Sequence, residues 1–330
     1  MPPAASEIQK QFWTASDFIF HTGERLDRLR IGYLAFGNPS GTPVLILHGT
    51  NSSSVNLLNA AFADPLFNAG QPLDAATHHI IMPDAIGAGD SSKPSDGLGP
   101  NFPRYNLDDL VTAQYRLLTE GLGIEHVKVI VGNSMGGMLA WLWGIRYPEF
   151  MHALVPLACA PAPMSGRNWM LRRLVVDMVQ NDPGWMGGAY TCQPACLQTA
   201  ALFYNVASNG GDSALQANGP TRSTADAYLD RRRQQQNTLD ANDFVYQLLA
   251  TRDYDPSNEL NRITCPILAI NATDDERNPT ALDLLAAAVA TLPQLKTYLI
   301  KGSPETAGHG TTLQARWWAD QLQNFLTEIR

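Results

Sequence analysis

The chain has 330 residues, 45% of them hydrophobic and 16% charged. That composition excludes a disordered polymer, and the length suffices for one large core. Lys and Arg number 23 against 31 Asp and Glu, for a net charge of −8. An acidic surface repels phosphate backbones, so nucleic-acid binding is excluded as the main task.

The one basic run, Arg231-Arg232-Arg233 followed by Gln234-Gln235-Gln236, reads as a solvated helix face. The strongly apolar uncharged segment 129–145 is broken by Gly132, Asn133, Ser134, Gly136 and Gly137, so no membrane partner is expected. Residues 1–7 carry neither a basic nor an apolar leader region, which points to the cytoplasm. Cys159, Cys192, Cys196 and Cys265 are too few for a disulfide scaffold. They read as ordinary buried thiols, with a Cys192–Cys196 bridge or a metal as the alternatives. No cofactor and no metal are expected.

In chain order, short apolar runs closed by Gly, Pro or Asn alternate with helical patterns. Val44-Leu45-Ile46-Leu47 ends at His48-Gly49, and His79-Ile80-Ile81-Met82 ends at Pro83-Asp84. Asn106 caps a helical pattern with apolar Leu107, Leu110, Val111, Leu117 and Leu118. The run 127–131 closes on Gly132-Asn133. Met138, Trp141, Leu142 and Ile145 then follow helical spacing until Tyr147-Pro148. Further runs lie at 153–157 and 267–270, and Trp318, Leu322, Phe325, Leu326 and Ile329 pattern a last helix. Apolar runs buried on both faces, alternating with helices, predict an α/β fold with a mostly parallel, doubly wound sheet. The alternation stops between about Pro161 and Ile263. The expected division is a core of 1–160 and 263–330 with a helical lid over 161–262, inserted where such sheets place their ligands.

The strongest chemical signal is Gly132-Asn133-Ser134-Met135-Gly136 between a predicted strand and a predicted helix. In that context G-x-S-x-G is a nucleophile elbow. A serine hydroxyl needs a base. Of seven histidines, only His309 follows both the elbow and the last predicted core strand, in the small-residue loop Ala307-Gly308-His309-Gly310. The acid should follow the 267–270 strand, where Asp274, Asp275 and Glu276 compete. The usual spacing, four residues before a loop proline, favours Asp275 ahead of Pro279, with Asp274 the alternative. The oxyanion hole should use the amides of Met135 and Thr50, with His48 supporting the loop rather than reacting. Asn51 to Ser54 lie alongside. In the lid, Trp169, Trp185, Met186, Phe203 and Tyr204 suit either an apolar acyl pocket or the lid's own core.

From about Leu29 onward these residues resemble α/β-hydrolase-fold proteins, specifically the homoserine O-acetyltransferase-like branch. Gly132 through Met138 looks like that family's elbow, with Asn133 where Gly is usual. Phe102-Pro103 through Gln114 looks like the segment before it. Asn181-Asp182-Pro183-Gly184-Trp185, Gly187-Gly188 and Asp240 through Phe244 resemble its lid. The family's transferases usually carry Asp directly after the catalytic His and Arg at the end of a G-L-x-x-A-R run. Gly310 and Ala201 stand at those positions here, and His48-Gly49-Thr50 replaces H-A-L.

The resemblance therefore implies an α/β-hydrolase fold and acyl transfer through Ser134, while the amino-acid acceptor site is stripped. The expected function is a carboxylic ester hydrolase acting on a small-molecule ester. The alternatives are an acyltransferase of the homoserine type and, last, a non-enzymatic binding module. A homodimer through the lid is implied by resemblance alone.

Overall fold

The computed structural model describes residues 8–234 and 238–329. The expectations that fell on residues 1–7, Gln235 and Gln236 lie outside the described residues.

Among the described residues eight strands form one sheet: β1 (Lys10–Ile19), β2 (Arg25–Gly37), β3 (Thr42–Leu47), β4 (His78–Pro83), β5 (Val127–Asn133), β6 (Met151–Leu157), β7 (Ile267–Ala272) and β8 (Leu295–Ile300). Their order is β1-β2-β4-β3-β5-β6-β7-β8. β2 pairs antiparallel with β1 and β4, and every other pairing is parallel. Ten helices accompany them: α1 (Ala60–Phe67), α2 (Leu107–Arg116), α3 (Met135–Arg146), α4 (Gly166–Gln180), α5 (Leu197–Ser208), α6 (Asp212–Asn218), α7 (Arg222–Gln234), α8 (Ala241–Leu249), α9 (Ala286–Thr291) and α10 (Ala319–Glu328).

The sheet is buried on both faces, which explains the unbroken apolar runs. On β3, Leu45 and Leu47 join a core with Trp141 and Trp143 of α3, while Val44 and Ile46 join a second core with Phe62 of α1 and Trp318 beside α10. The five central strands are those the sequence pattern predicts. β1, β2 and β8 were not among them, for a physical reason. They lie at or next to the sheet's margins and mix exposed with buried residues, as in β8, where Lys296 and Thr297 are exposed between buried Leu295 and Ile300. Polar interruptions dilute the apolar run in such strands.

The Asn106 cap is present as a reciprocal pair. Asn106 Oδ1 accepts from Asp109 N, and Asp109 Oδ2 accepts from Asn106 N, each at 3.0 Å. The chain stays helical through Leu117 and Leu118, as expected, but not as α-helix. A π-type turn, Leu117–Gly121, replaces its last part while both leucines stay buried.

Between β6 and β7 the described residues contain helices α4 to α8 and no strand. Val175, Val179, Trp185, Leu197, Phe244 and Leu248 give this segment a core of its own. All four cysteines are free thiols, but Cys192 is exposed and Cys196 half-buried. The expectation of buried thiols holds for Cys159 and Cys265 only. The other two lie in the loop ahead of α5, where Cys196 packs against the core of this segment.

Candidate active site

Ser134 sits at the turn from β5 into α3 with φ 56° and ψ −112°, a conformation that costs about 1–3 kcal/mol and is held by its surroundings. Its amide donates to Leu157 O at 2.8 Å, and its carbonyl accepts the first bond of α3, from Met138 N. Two glycines are obligatory here. A Cβ at Gly132 would lie 2.0 Å from Gly136 O, and one at Gly136 would lie 2.2 Å from Leu47 O. The elbow is therefore packed backbone-to-backbone against the end of β3.

His309 lies in a short helical turn, Gly308–Leu313, after β8. Its Nε2 is 2.8 Å from Ser134 Oγ, and its Nδ1 lies 2.9 and 3.0 Å from the two Asp275 oxygens. Asp275 Oδ1 also accepts from the amides of Arg277 (2.8 Å) and Asn278 (3.1 Å), and Oδ2 accepts from Asn278 Nδ2 at 3.0 Å. Burial pushes the Asp275 carboxyl up. The His309 charge and these hydrogen bonds outweigh it and hold the carboxyl below its usual range. Burial, joined by the Arg277 charge, pulls His309 down more than Asp275 and Glu276 lift it, so the imidazole stays neutral to below its ordinary range. The resting arrangement is a neutral imidazole against an ionised carboxylate.

Asp274 is turned away. Its Oδ2 accepts from Thr306 Oγ1 at 2.6 Å, a loop hydrogen bond. Glu276, the third acidic candidate, accepts from His309 N at 2.8 Å and from Gly211 N at 2.6 Å. Gly308 makes that contact feasible: its φ is +54°, and a Cβ there would meet Glu276 Oε2 at 2.4 Å.

Met135 is the first residue of α3, so its amide has no acceptor inside the helix. Gly49 abuts Ser134, with its Cβ position 3.4 Å from Ser134 Cβ, and Thr50 follows it in the wall of the same cavity. Buried His48 has Nδ1 2.8 Å from Gly49 O and accepts from Ala85 N through Nε2 at 2.9 Å. Both nitrogens are thus used in holding the loop, as expected.

Two cavities meet at Ser134 and His309. One runs between the end of β6 and α4, lined by Cys159, Arg172, Tyr254 and Arg277 among others. The other runs under α5 past Thr50, Asn51, Ala201, Tyr204 and again Arg277. Of the five large lid side chains, only Tyr204 lines either cavity. Trp185 is in the lid core, while Met186 and Phe203 are exposed. Burial pushes the Cys159 thiol far up, so it is no rival nucleophile. Ala201 is buried, and a Cβ at Gly310 would lie 3.3 Å from Asn209 Oδ1 of the lid. Arg222 and Arg252 border neither cavity. Arg252 is exposed and pairs with Asp253. Sequence reasoning passed over Arg172, Arg277 and Asn278, since none falls in a motif.

Residues 42–309 match the α/β hydrolase fold family, and the chain belongs to it. Its curated relatives include a probable acyltransferase of Methanothermobacter thermautotrophicus, 25% identical over 86% of this chain and 88% of that protein. The homoserine O-acetyltransferase of Chlorobaculum parvum is 30% identical, but over 57% of this chain and 54% of its own length. This chain thus spans about half of that relative. Among solved structures, that of esterase E22 superposes with a TM-score of 0.83 at 19% identity, covering 97% of this chain and 100% of the other. The sequence resemblance to the homoserine O-acetyltransferase-like branch agrees with these relatives.

Proposed function

We propose that the protein is a carboxylic ester hydrolase in which Ser134 is the nucleophile, His309 the general base and Asp275 its orienting acid. The observation that carries this reading is the continuous chain Ser134 Oγ–His309 Nε2 and His309 Nδ1–Asp275 at the junction of two cavities. As Ser134 Oγ attacks the ester carbonyl, His309 Nε2 takes its proton, and Asp275 stabilises the imidazolium without accepting the proton itself. The amides of Met135 and Thr50 face the developing oxyanion. His309 then protonates the leaving alkoxide. Water, deprotonated by His309, attacks the acyl carbon, and the imidazolium returns that proton to Ser134 Oγ as the acid leaves.

Transfer to an alcohol shares the first half of this cycle. The relative named as a probable acyltransferase favours that second reading. Water as acceptor is supported by Ala201 and Gly310, which leave a zwitterionic alcohol without the family's Arg and Asp. Losing one charge-assisted contact disfavours homoserine by roughly tenfold or more. The test is an ester panel of varied acyl length, run with and without acceptor alcohols, following acid release. Thiol release from acetyl-CoA is measured beside it. Homoserine-dependent turnover equal to the ester reaction would overturn the hydrolase reading.

A homodimer through the lid is proposed with it. Met170, Leu174 and Met178 recur every fourth residue on α4 and are all exposed, an apolar stripe on one helix face.

A further inference from the structure

Arg172, on the inner side of α4, is 1% exposed. Its Nε donates to Asn168 Oδ1 at 3.1 Å, while its Nη1 is buried with no partner. Among the described residues no ion pair includes Arg172 or Arg277. A guanidinium keeps its charge at any working pH. Burying one without a counter-charge is strongly unfavourable unless something else supplies it.

The setting says what that is. Arg172 lines the cavity between β6 and α4 that also contains Ser134 and His309. Arg167 and Arg277 line it too, and the acidic side chain in that lining is Glu276. Both Glu276 oxygens are already taken by the amides of His309 and Gly211. Nearby Asp275 is committed to His309. A chain of net charge −8 therefore concentrates positive charge beside its reacting serine. The Tyr204 ring lies 5.8 Å from Arg172 and 4.9 Å from Arg277, and the Tyr204 hydroxyl is likewise buried without a partner. Burial and the neighbouring Arg277 both pull Arg172 below its ordinary value, as expected of a cation lacking its anion.

We propose that the ester processed at Ser134 carries a carboxylate, and that Arg172 is the residue that binds it. The proposal rests on the reading of Ser134 as the nucleophile of an ester hydrolase. A planar guanidinium accommodates a carboxylate through paired N–H donors. The carboxylate belongs to whichever half of the ester fills this cavity. Hydrolysis then adds OH from water to the acyl carbon and H to the alcohol oxygen, leaving the carboxylate unchanged.

The experiment compares kcat/KM for two matched pairs of esters in which a methyl is exchanged for a carboxylate. Mono-p-nitrophenyl succinate against p-nitrophenyl butyrate places the charge on the acyl half. The acetyl ester of 4-hydroxybutyrate against butyl acetate places it on the alcohol half. The wild-type protein should prefer the charged member of one pair by roughly 10- to 100-fold. That ratio should collapse in Arg172→Met and return in part in Arg172→Lys. Free succinate should raise the melting temperature of the wild type and leave that of Arg172→Met unmoved. Ester hydrolysis with no preference in either pair, or a preference that survives in Arg172→Met, overturns the proposal and leaves the hydrolase reading standing. The wild-type ratios decide the matter even if the Met variant fails to fold. Succinate stabilisation that depends on Arg172 without hydrolysis of any ester would instead uphold the anion site and remove the hydrolase reading.

Discussion

Glu276 Oε2 accepts a hydrogen bond from the amide of His309 at 2.8 Å, while its other oxygen accepts from Gly211 at 2.6 Å. One carboxylate thereby ties the loop that carries the proposed base to the start of α6 in the lid. Base position and lid position are coupled through a side chain that touches no reacting atom. Glu276→Ala should lower kcat by about tenfold or more, because the His309 loop loses a charge-assisted anchor. Glu276→Gln should recover part of that loss through its remaining acceptor. Steady-state kinetics with a fluorophosphonate labelling rate separate positioning from misfolding. Normal labelling and normal kcat in Glu276→Ala would show that the anchor is dispensable.

The register of the acid is open to a direct comparison. Asp275→Asn should keep the fold and lose about 10⁴-fold in kcat, since the His309 tautomer and imidazolium lose their partner. Asp274→Asn should change kcat by less than about tenfold, because Asp274 holds only the Thr306 hydroxyl. Exchanged outcomes would move the acid to Asp274.

The pH profile follows from the directions of two shifts. His309 is lowered from 6.5 and acts while neutral, so activity should hold below pH 6.5 and fall only as pH drops through its lowered value. Stability on acidification has the same sign. Below pH 6.5 the unfolded chain binds a proton on His309 that the folded chain refuses, so stability falls between 6.5 and the folded value. Asp275 is lowered from 3.8, so its contribution is present above 3.8 and is lost as pH falls through its still lower folded value. An acid limb of kcat/KM centred above 6.5 would contradict the assignment of His309.

Gly136→Ala places a methyl 2.2 Å from Leu47 O, a backbone atom at the end of β3. A loss of about 3 kcal/mol or more of stability, or failure to fold, is expected. Chemical denaturation beside Ser134→Ala, which should keep wild-type stability within about 1 kcal/mol, makes the contrast. Intact mass after a fluorophosphonate probe should show one adduct in the wild type and none in Ser134→Ala.

The exposed stripe on α4 gives the assembly a test. Leu174→Glu should convert a dimer to a particle of half the mass in light scattering at micromolar concentration. A wild-type protein already monomeric there would remove the lid dimer.

The sequence by itself determined the central strands, the helices around the elbow and the spacing that singles out Ser134, His309 and Asp275. Each of these signals is local: a strand buried on both faces must be apolar throughout, and a tight turn must have Gly at 132 and 136. β1, β2 and β8 were not legible because these marginal strands mix polar residues into their apolar runs, and only their neighbours reveal the pairing. Which acidic side chain of 274, 275 and 276 faces His309 was a spacing argument in the sequence. The fold alone orients Asp274 toward Thr306, Asp275 toward the imidazole and Glu276 toward two amides. Arg172 carries no motif at all. A charge on a helix reads as solvated until tertiary packing buries it. Only the seating of α4 over the end of β6 places that guanidinium, unpaired, in the wall of the cavity that holds Ser134.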